Sequence, residues 1–139
     1  MEFNMRSRGL VDNLNQFNYH ILGCGAIGSA AATQLVRMGA ENFCLYDNDV
    51  VDTGNVGVSQ YTLYDVGHKK VDMLKSKILD INNSCEVMCA DEMFSNYIYM
   101  NNDDIIILGF DSMKSRLDAV IALSNWRQSK PYALIDGRM

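Results

Sequence analysis

Apolar positions along the chain switch repeatedly between short continuous runs and helical spacing. "FNYHILG" (17–23) reads as a short buried strand that stops at glycine. From Ala26 to Met38, apolar residues at 27, 30, 31, 35 and 38 recur at helical spacing, and Gly39 is a stop signal. "NFCLYD" (42–47) reads as a second strand. Residues 48–64 carry glycines and alternating polar positions without a clean period, which predicts an ordered loop. Helical spacing returns over 67–83, through Val71, Leu74, Ile78 and Ile81. "CEVMCA" (85–90) alternates like a strand, and "DIIILGF" (104–110) is an apolar run bounded by acids and glycine, as expected of a central parallel strand. An amphipathic helix over 112–130 and a fifth strand over 132–136, behind Pro131, complete the pattern.

Strands that alternate with helices predict an α/β, Rossmann-like doubly wound fold, with a mainly parallel sheet and helices on both faces. Crossovers should be right-handed, and a ligand should sit at the carboxyl ends of the strands. With no repeat, no low-complexity tract and one proline, residues 1–139 are expected to form one domain. The sequence stops at "DGRM", directly after a strand, so the domain is expected to be truncated at its C-terminus, as the N-terminal part of a longer protein or a truncated gene product.

Composition narrows the partners. A hydrophobic share of 48% and a charged share of 21% are those of an ordinary globular protein. The net charge of -5 gives no reason to expect nucleic acid or an anionic membrane. No apolar run approaches the ~20 residues of a membrane span, and the opening segment lacks the apolar stretch of a signal peptide. A cytoplasmic address is expected, in which Cys24, Cys44, Cys85 and Cys89 stay reduced. Cys85 and Cys89 have the spacing of half a metal site. At i and i+4 of a strand they share a face and no second pair exists, so buried structural cysteines are the expectation.

Chemistry enters at Gly23-x-Gly25-x-x-Gly28, between the first strand and the first helix. Gly23 permits a tight turn, Gly25 lets a phosphate approach the backbone, and Gly28 lets helix and strand pack closely. The helix that begins at Ala26 presents free N–H groups and partial positive charge to an anion. Asp47 ends the second strand 19 residues after Gly28, where a carboxylate can accept from ribose hydroxyls. These residues indicate a nucleotide and leave NAD(P) and ATP both open.

The residues after Asp47 read "DNDVVDTGNVGVSQYTLYDVGHKKV". Together with "GFDSMKSR" at 109–116, they resemble the ThiF/MoeB/HesA family of ubiquitin-activating-enzyme-like adenylyltransferases. The likeness extends over about 18–136. Asp47 and Asp49 fit the family's paired acids, Asn55 its asparagine, and Asp65-Val66-Gly67 with Lys70 its lysine segment. Asp111 and Arg116 fit its D-N-x-x-x-R, with Ser112 in place of asparagine.

The resemblance implies ATP and Mg2+ as cofactors. Gly23, Gly25, Ala26, Gly28, Asp47, Asp49 and Ser112 would bind the nucleotide. Asn55 would hydrogen-bond the phosphates, Lys70 would offset their charge, and Asp111 would hold magnesium. The activity implied is adenylation of the C-terminal carboxylate of a ubiquitin-like or sulfur-carrier protein, or of a peptide, by a homodimer or heterodimer. Taken singly, each residue also has a plain structural reading: Asp111 as a helix cap, Lys70 as a solvated helix lysine like Lys69, Lys75 and Lys77, Asn55 as a turn residue.

The pattern breaks at Val58, which stands where the family has an arginine, and "GVSQ" is one residue longer than the usual stretch. Arg6 and Arg8 are candidate replacements for that charge. None of the four cysteines matches a thiol-transfer position, and Cys24, inside the glycine loop, is expected to pack. Two other readings stand beside adenylation: an NAD(P)-binding oxidoreductase domain, and a catalytically idle scaffold subunit of the same family.

Overall fold

In a computed structural model, the described residues are 13–90, 102–110, 113–124 and 131–137. Five strands form one all-parallel sheet: β1 (Asn18–Leu22), β2 (Asn42–Tyr46), β3 (Glu86–Ala90), β4 (Asp104–Leu108) and β5 (Ala133–Asp136). Their spatial order is β3-β2-β1-β4-β5, so the chain reverses direction of winding between β1 and β4. The carboxyl ends at that reversal are where this sheet type leaves a crevice.

Strand alternation sorts the side chains into two layers. Tyr19, Ile21, Phe43, Leu45, Val87, Ile105 and Ile107 face the larger core, with residues of helices α1 (Ala26–Arg37) and α3 (Lys70–Ile81) packed among them. Leu22, Ile106 and Leu108 face the other way and meet Ala119 of α4 (Met113–Ser124). Helices therefore cover both faces, as the alternating pattern predicts.

Within this frame several expectations are corrected. The buried stripe of α1 is Gly28, Ser29, Ala32, Thr33 and Val36, rather than the 27, 30, 31, 35 and 38 marked by apolarity. Small residues take the sheet-facing positions because the helix lies close to β1, while Leu35 and Ala31 flank the contact. Residues 48–64 are not simply loop. They contain a one-turn helix α2 (Thr53–Val56) and the start of a 3-10 turn at Leu63–Asp65, each closed by a reciprocal capping box, Asp52 with Asn55 and Thr62 with Asp65. α4 is described to Ser124; the rest of the helix expected to Lys130 lies outside the described residues.

Lys77 is not a solvated lysine. Its Nζ lies 2.8 Å from Asp65 Oδ2, and both side chains are largely buried. Asp65 also accepts from Thr62 N–H at 2.7 Å, which ties the segment ahead of α3 onto that helix. Burial pushes the Asp65 carboxyl up, but the hydrogen bonds from Lys77 and Thr62 and the lysine's charge outweigh it and hold the group below its ordinary value. Among the described residues, no helix is long and apolar enough to cross a membrane.

One polar line crosses the second face. His20 Nε2 lies 3.0 Å from Asp104 Oδ1, both buried, and His20 Nδ1 lies 3.3 Å from the Tyr46 hydroxyl. With its proton on Nε2, the ring donates to the carboxylate and accepts from the phenol. A histidine in an otherwise apolar strand is thereby satisfied.

Asp65→Ala should cost about 1–2 kcal/mol at neutral pH, by loss of the cap and the partly buried ion pair. Because the native carboxyl is held low, that contribution is complete above the unfolded value, about pH 4, and is lost as pH falls through the native one. Denaturant melts of both proteins from pH 7 to pH 3 should show the gap closing on the acid side.

Candidate nucleotide site

The site grows from the end of β1. Gly23 sits at φ +93°, a left-handed conformation that an L side chain rarely adopts. A Cβ on Gly28 would overlap the Gly23 carbonyl, so the third glycine of the motif is needed for α1 to begin this close to the strand. Gly109, directly after β4, makes the same kind of approach: a Cβ there would lie 2.6 Å from the Gly23 oxygen and 3.0 Å from Gly28 N. Gly109 was not among the candidate residues. Its signal was a glycine at the carboxyl end of a central strand adjacent to β1, which becomes legible only once the strand order is known.

β2 supplies the acids. Asp47 Oδ2 accepts from Cys24 N–H at 2.8 Å, and Oδ1 accepts from Asp49 N–H at 2.8 Å. One carboxylate therefore holds the glycine loop and its own outgoing turn. Each oxygen keeps a second lone pair for an incoming hydroxyl. Asp49, more exposed, points its Oδ2 at Lys70 Nζ, 3.5 Å away.

Lys70 reaches that position through a short antiparallel clasp. Val51 N–H donates to His68 O, Gly67 N–H to Val51 O, and Lys70 N–H to Asp49 O, at 2.8, 2.8 and 3.0 Å. The clasp delivers Lys70 as the first residue of α3. Its side chain is only 9% exposed, and Asp49 is the one polar partner of its ammonium among the described residues. A buried cation with most of its donor capacity unspent is costly unless an anion completes it. The solvated-lysine reading therefore fails for this residue.

Asn55 closes the capping box at the start of α2. Its Oδ1 accepts from Asp52 N–H at 2.9 Å and its backbone N–H donates to Asp52 Oδ1 at 3.1 Å. The amide nitrogen retains donors for a ligand. Val58 is 64% exposed and brings no donor. Asp111 and Ser112 lie outside the described residues, as do Arg6 and Arg8; Arg116 falls on α4, its side chain likewise outside.

Tyr61 is a second residue the sequence reading passed over. It is buried, and its hydroxyl donates to Cys24 O at 2.6 Å while lying 3.3 Å from Lys70 O. The capping boxes had a readable signal, Thr62-x-x-Asp65 at capping-box spacing; the phenol's long-range partners had none.

The cysteines divide. Cys24 is fully buried, and burial, then the charge of Asp47, pushes its thiol well above the ordinary value. Cys85 is buried and raised to about 11, by burial and then by Glu41. Cys89 corrects the expectation of burial: it is exposed, at the edge strand β3, with its thiol 3.4 Å from Val71 O. No cluster of three His, Cys, Asp or Glu capable of holding a metal occurs among the described residues.

Gly109→Ala should destabilise by about 1–3 kcal/mol, because the methyl meets backbone on two sides; chemical denaturation measures it. Iodoacetamide at neutral pH should leave Cys24 and Cys85 unmodified in the folded protein and label them only in denaturant. Peptide mass spectrometry reads this directly, with Cys89 as the accessible control.

The ThiF family description matches residues 2–128. A tRNA threonylcarbamoyladenosine dehydratase of Bacillus subtilis is 37% identical over 90 residues, 64% of this chain and 35% of that protein. The ATP-dependent ubiquitin transferase-like protein Cap2 of Enterobacter hormaechei is 34% identical over 134 residues, 91% of this chain and 22% of its own length. Among solved structures, E. coli tRNA N6-threonylcarbamoyladenosine dehydratase superposes with a TM-score of 0.75 at 21% identity, covering 88% of this chain and 50% of that one. The chain thus spans about a third or less of the curated relatives it matches here. From the glycine loop through the acids to the lysine segment, this chain belongs to the ThiF family.

Proposed function

We propose that the chain is the nucleotide-binding part of an ATP-dependent adenylyltransferase. It would activate the C-terminal carboxylate of a ubiquitin-like or sulfur-carrier protein, or of a peptide, as an acyl-adenylate. The observation that carries this reading is Lys70, a nine-tenths-buried ammonium facing Asp49 at 3.5 Å beside the glycine loop. An NAD(P) reading accounts for Gly23, Gly25, Gly28 and Asp47 but gives that cation no task.

In the reaction, a carboxylate oxygen of the acceptor attacks the α-phosphorus of ATP. The bond to the bridging oxygen breaks, and pyrophosphate leaves with the electron pair. The attacking group is already an anion, so no general base is required. Catalysis is then positioning plus neutralisation of charge on the phosphates.

The free N–H groups at the start of α1 would bind phosphate oxygens. Asp47, held by Cys24 and Asp49, would accept from the ribose. Lys70 would offset charge on the phosphates, and the Asn55 amide would donate to them. Asp49 and Asp47 are already committed to Lys70 and to backbone N–H groups. Magnesium, a hard cation that keeps waters and needs only one or two carboxylates, would be held by Asp111, as the family resemblance implies, and would screen the phosphates. Dimerisation and a cytoplasmic location belong to the same proposal.

Val58, exposed where the family has arginine, favours a second reading, an idle subunit that binds ATP without turning it over. ATP–pyrophosphate exchange in the full-length protein separates the two. Exchange should require magnesium and an acceptor, and fall about 100-fold or more in Lys70→Ala and in Asp111→Ala. Wild-type exchange in both variants would remove the site assignment. Tight ATP binding with no exchange would establish the idle subunit. Stimulation by tRNA, rather than by a protein or peptide C-terminus, would redirect the acceptor.

A further inference from the structure

Tyr61 has a feature that the adenylation reading does not use. Its ring is 2% exposed, on a segment pinned from several sides. Gln60 N–H donates to Ser29 Oγ of α1 at 3.3 Å, Tyr61 N–H donates to Ser59 Oγ at 3.3 Å, and the Ser59 hydroxyl donates to Asn55 O of α2. The phenol is thereby driven inward between the glycine loop and the first turn of α3, where its proton goes to Cys24 O at 2.6 Å, with Lys70 O at 3.3 Å.

The carbonyl of Cys24 and the N–H of Gly25 belong to one planar trans peptide, so they point in opposite directions. A hydroxyl that draws the carbonyl into the core turns the Gly25 N–H away from the core. That N–H has no protein partner among the described residues. On the other side of the same residue, Cys24 N–H is fixed by Asp47. Cys24 is therefore held at both of its backbone polar groups, and the orientation of the next donor is set.

We infer that Tyr61 is a positioning residue: its hydroxyl, bound to Cys24 O and adjoining Lys70 O, fixes the Gly25 peptide plane so that its N–H and the Lys70 ammonium meet the same phosphate chain. This inference rests on the reading of the site as one for ATP. Burial, then coupling to the Cys24 thiol and to the Asp47 and Asp65 carboxylates, pushes its ionisation far above the ordinary tyrosine value, so the hydroxyl remains a donor at any working pH. The phenol touches neither acid nor ammonium in a hydrogen bond and acts only through the backbone.

Tyr61→Phe in the full-length protein keeps the ring and removes only the hydroxyl. ATP and adenosine binding are measured by calorimetry, side by side with thermal melts. The variant should bind ATP about tenfold more weakly and adenosine within about twofold of wild type, because only the phosphates depend on the Gly25 N–H. Unchanged ATP affinity in a folded variant overturns the inference and leaves the ATP site standing. Equal losses for ATP and adenosine also overturn it, since they denote a general loosening of the pocket. A wild-type protein that binds no ATP overturns the site reading and this inference together.

Discussion

Everything at the candidate site depends on one close approach, in which the Gly23 carbonyl is met by Gly28 from α1 and by Gly109 from β4. Three backbones converge where a single Cβ would push them apart. Because Gly28 has none, the first turn of α1 begins almost against β1, and its unpaired N–H groups open directly over the strand ends. Because Gly109 has none, β4 can end beside that turn and Gly109 N–H can donate to Leu22 O at 2.7 Å. Steric permission here precedes any chemistry, since the positive end of a helix is useful to an anion only where an anion can reach it.

Around that point the polar groups form a chain of constraint. Asp47 holds Cys24, Asp49 follows from Asp47, and the clasp from Asp49 to Lys70 carries a cation from the next crossover to the same rim. Residues far apart in sequence are thus related by backbone hydrogen bonds more than by side-chain contacts. The arrangement leaves Lys70 under-satisfied, with one partner at 3.5 Å. Stability alone would favour removing or fully pairing such a group. Its retention suits a site that waits for negative charge.

Much of the fold was legible because parallel strands buried on both faces are apolar nearly throughout. "DIIIL" could hardly be anything else. The glycine loop was legible from order and spacing, and Lys70 from the family resemblance. Three things were not. The buried face of α1 was misjudged because close packing puts Gly28, Ser29 and Ala32 against the sheet, and small residues carry little hydrophobic signal. Lys77 read as an ordinary surface lysine, and the burial of Lys70 was not foreseen, since burial of a long side chain is decided by neighbours distant in sequence. Tyr61 carried no local mark at all, because its partners, Cys24 and Lys70, are recruited by topology.

The polar line on the opposite face has a different importance. β4 is so uniformly apolar that sliding it along β1 by two residues would keep the same face inward and change little in oily contact. His20 aligns with Ile106, whereas the carboxylate it meets belongs to Asp104, aligned with Asn18. Such a slip would part the imidazole from the acid it meets in a dry interior. A single diagonal bond thereby acts as the key that lets only one alignment of two greasy strands turn in the lock, and with it fixes how far Gly109 travels toward Gly23.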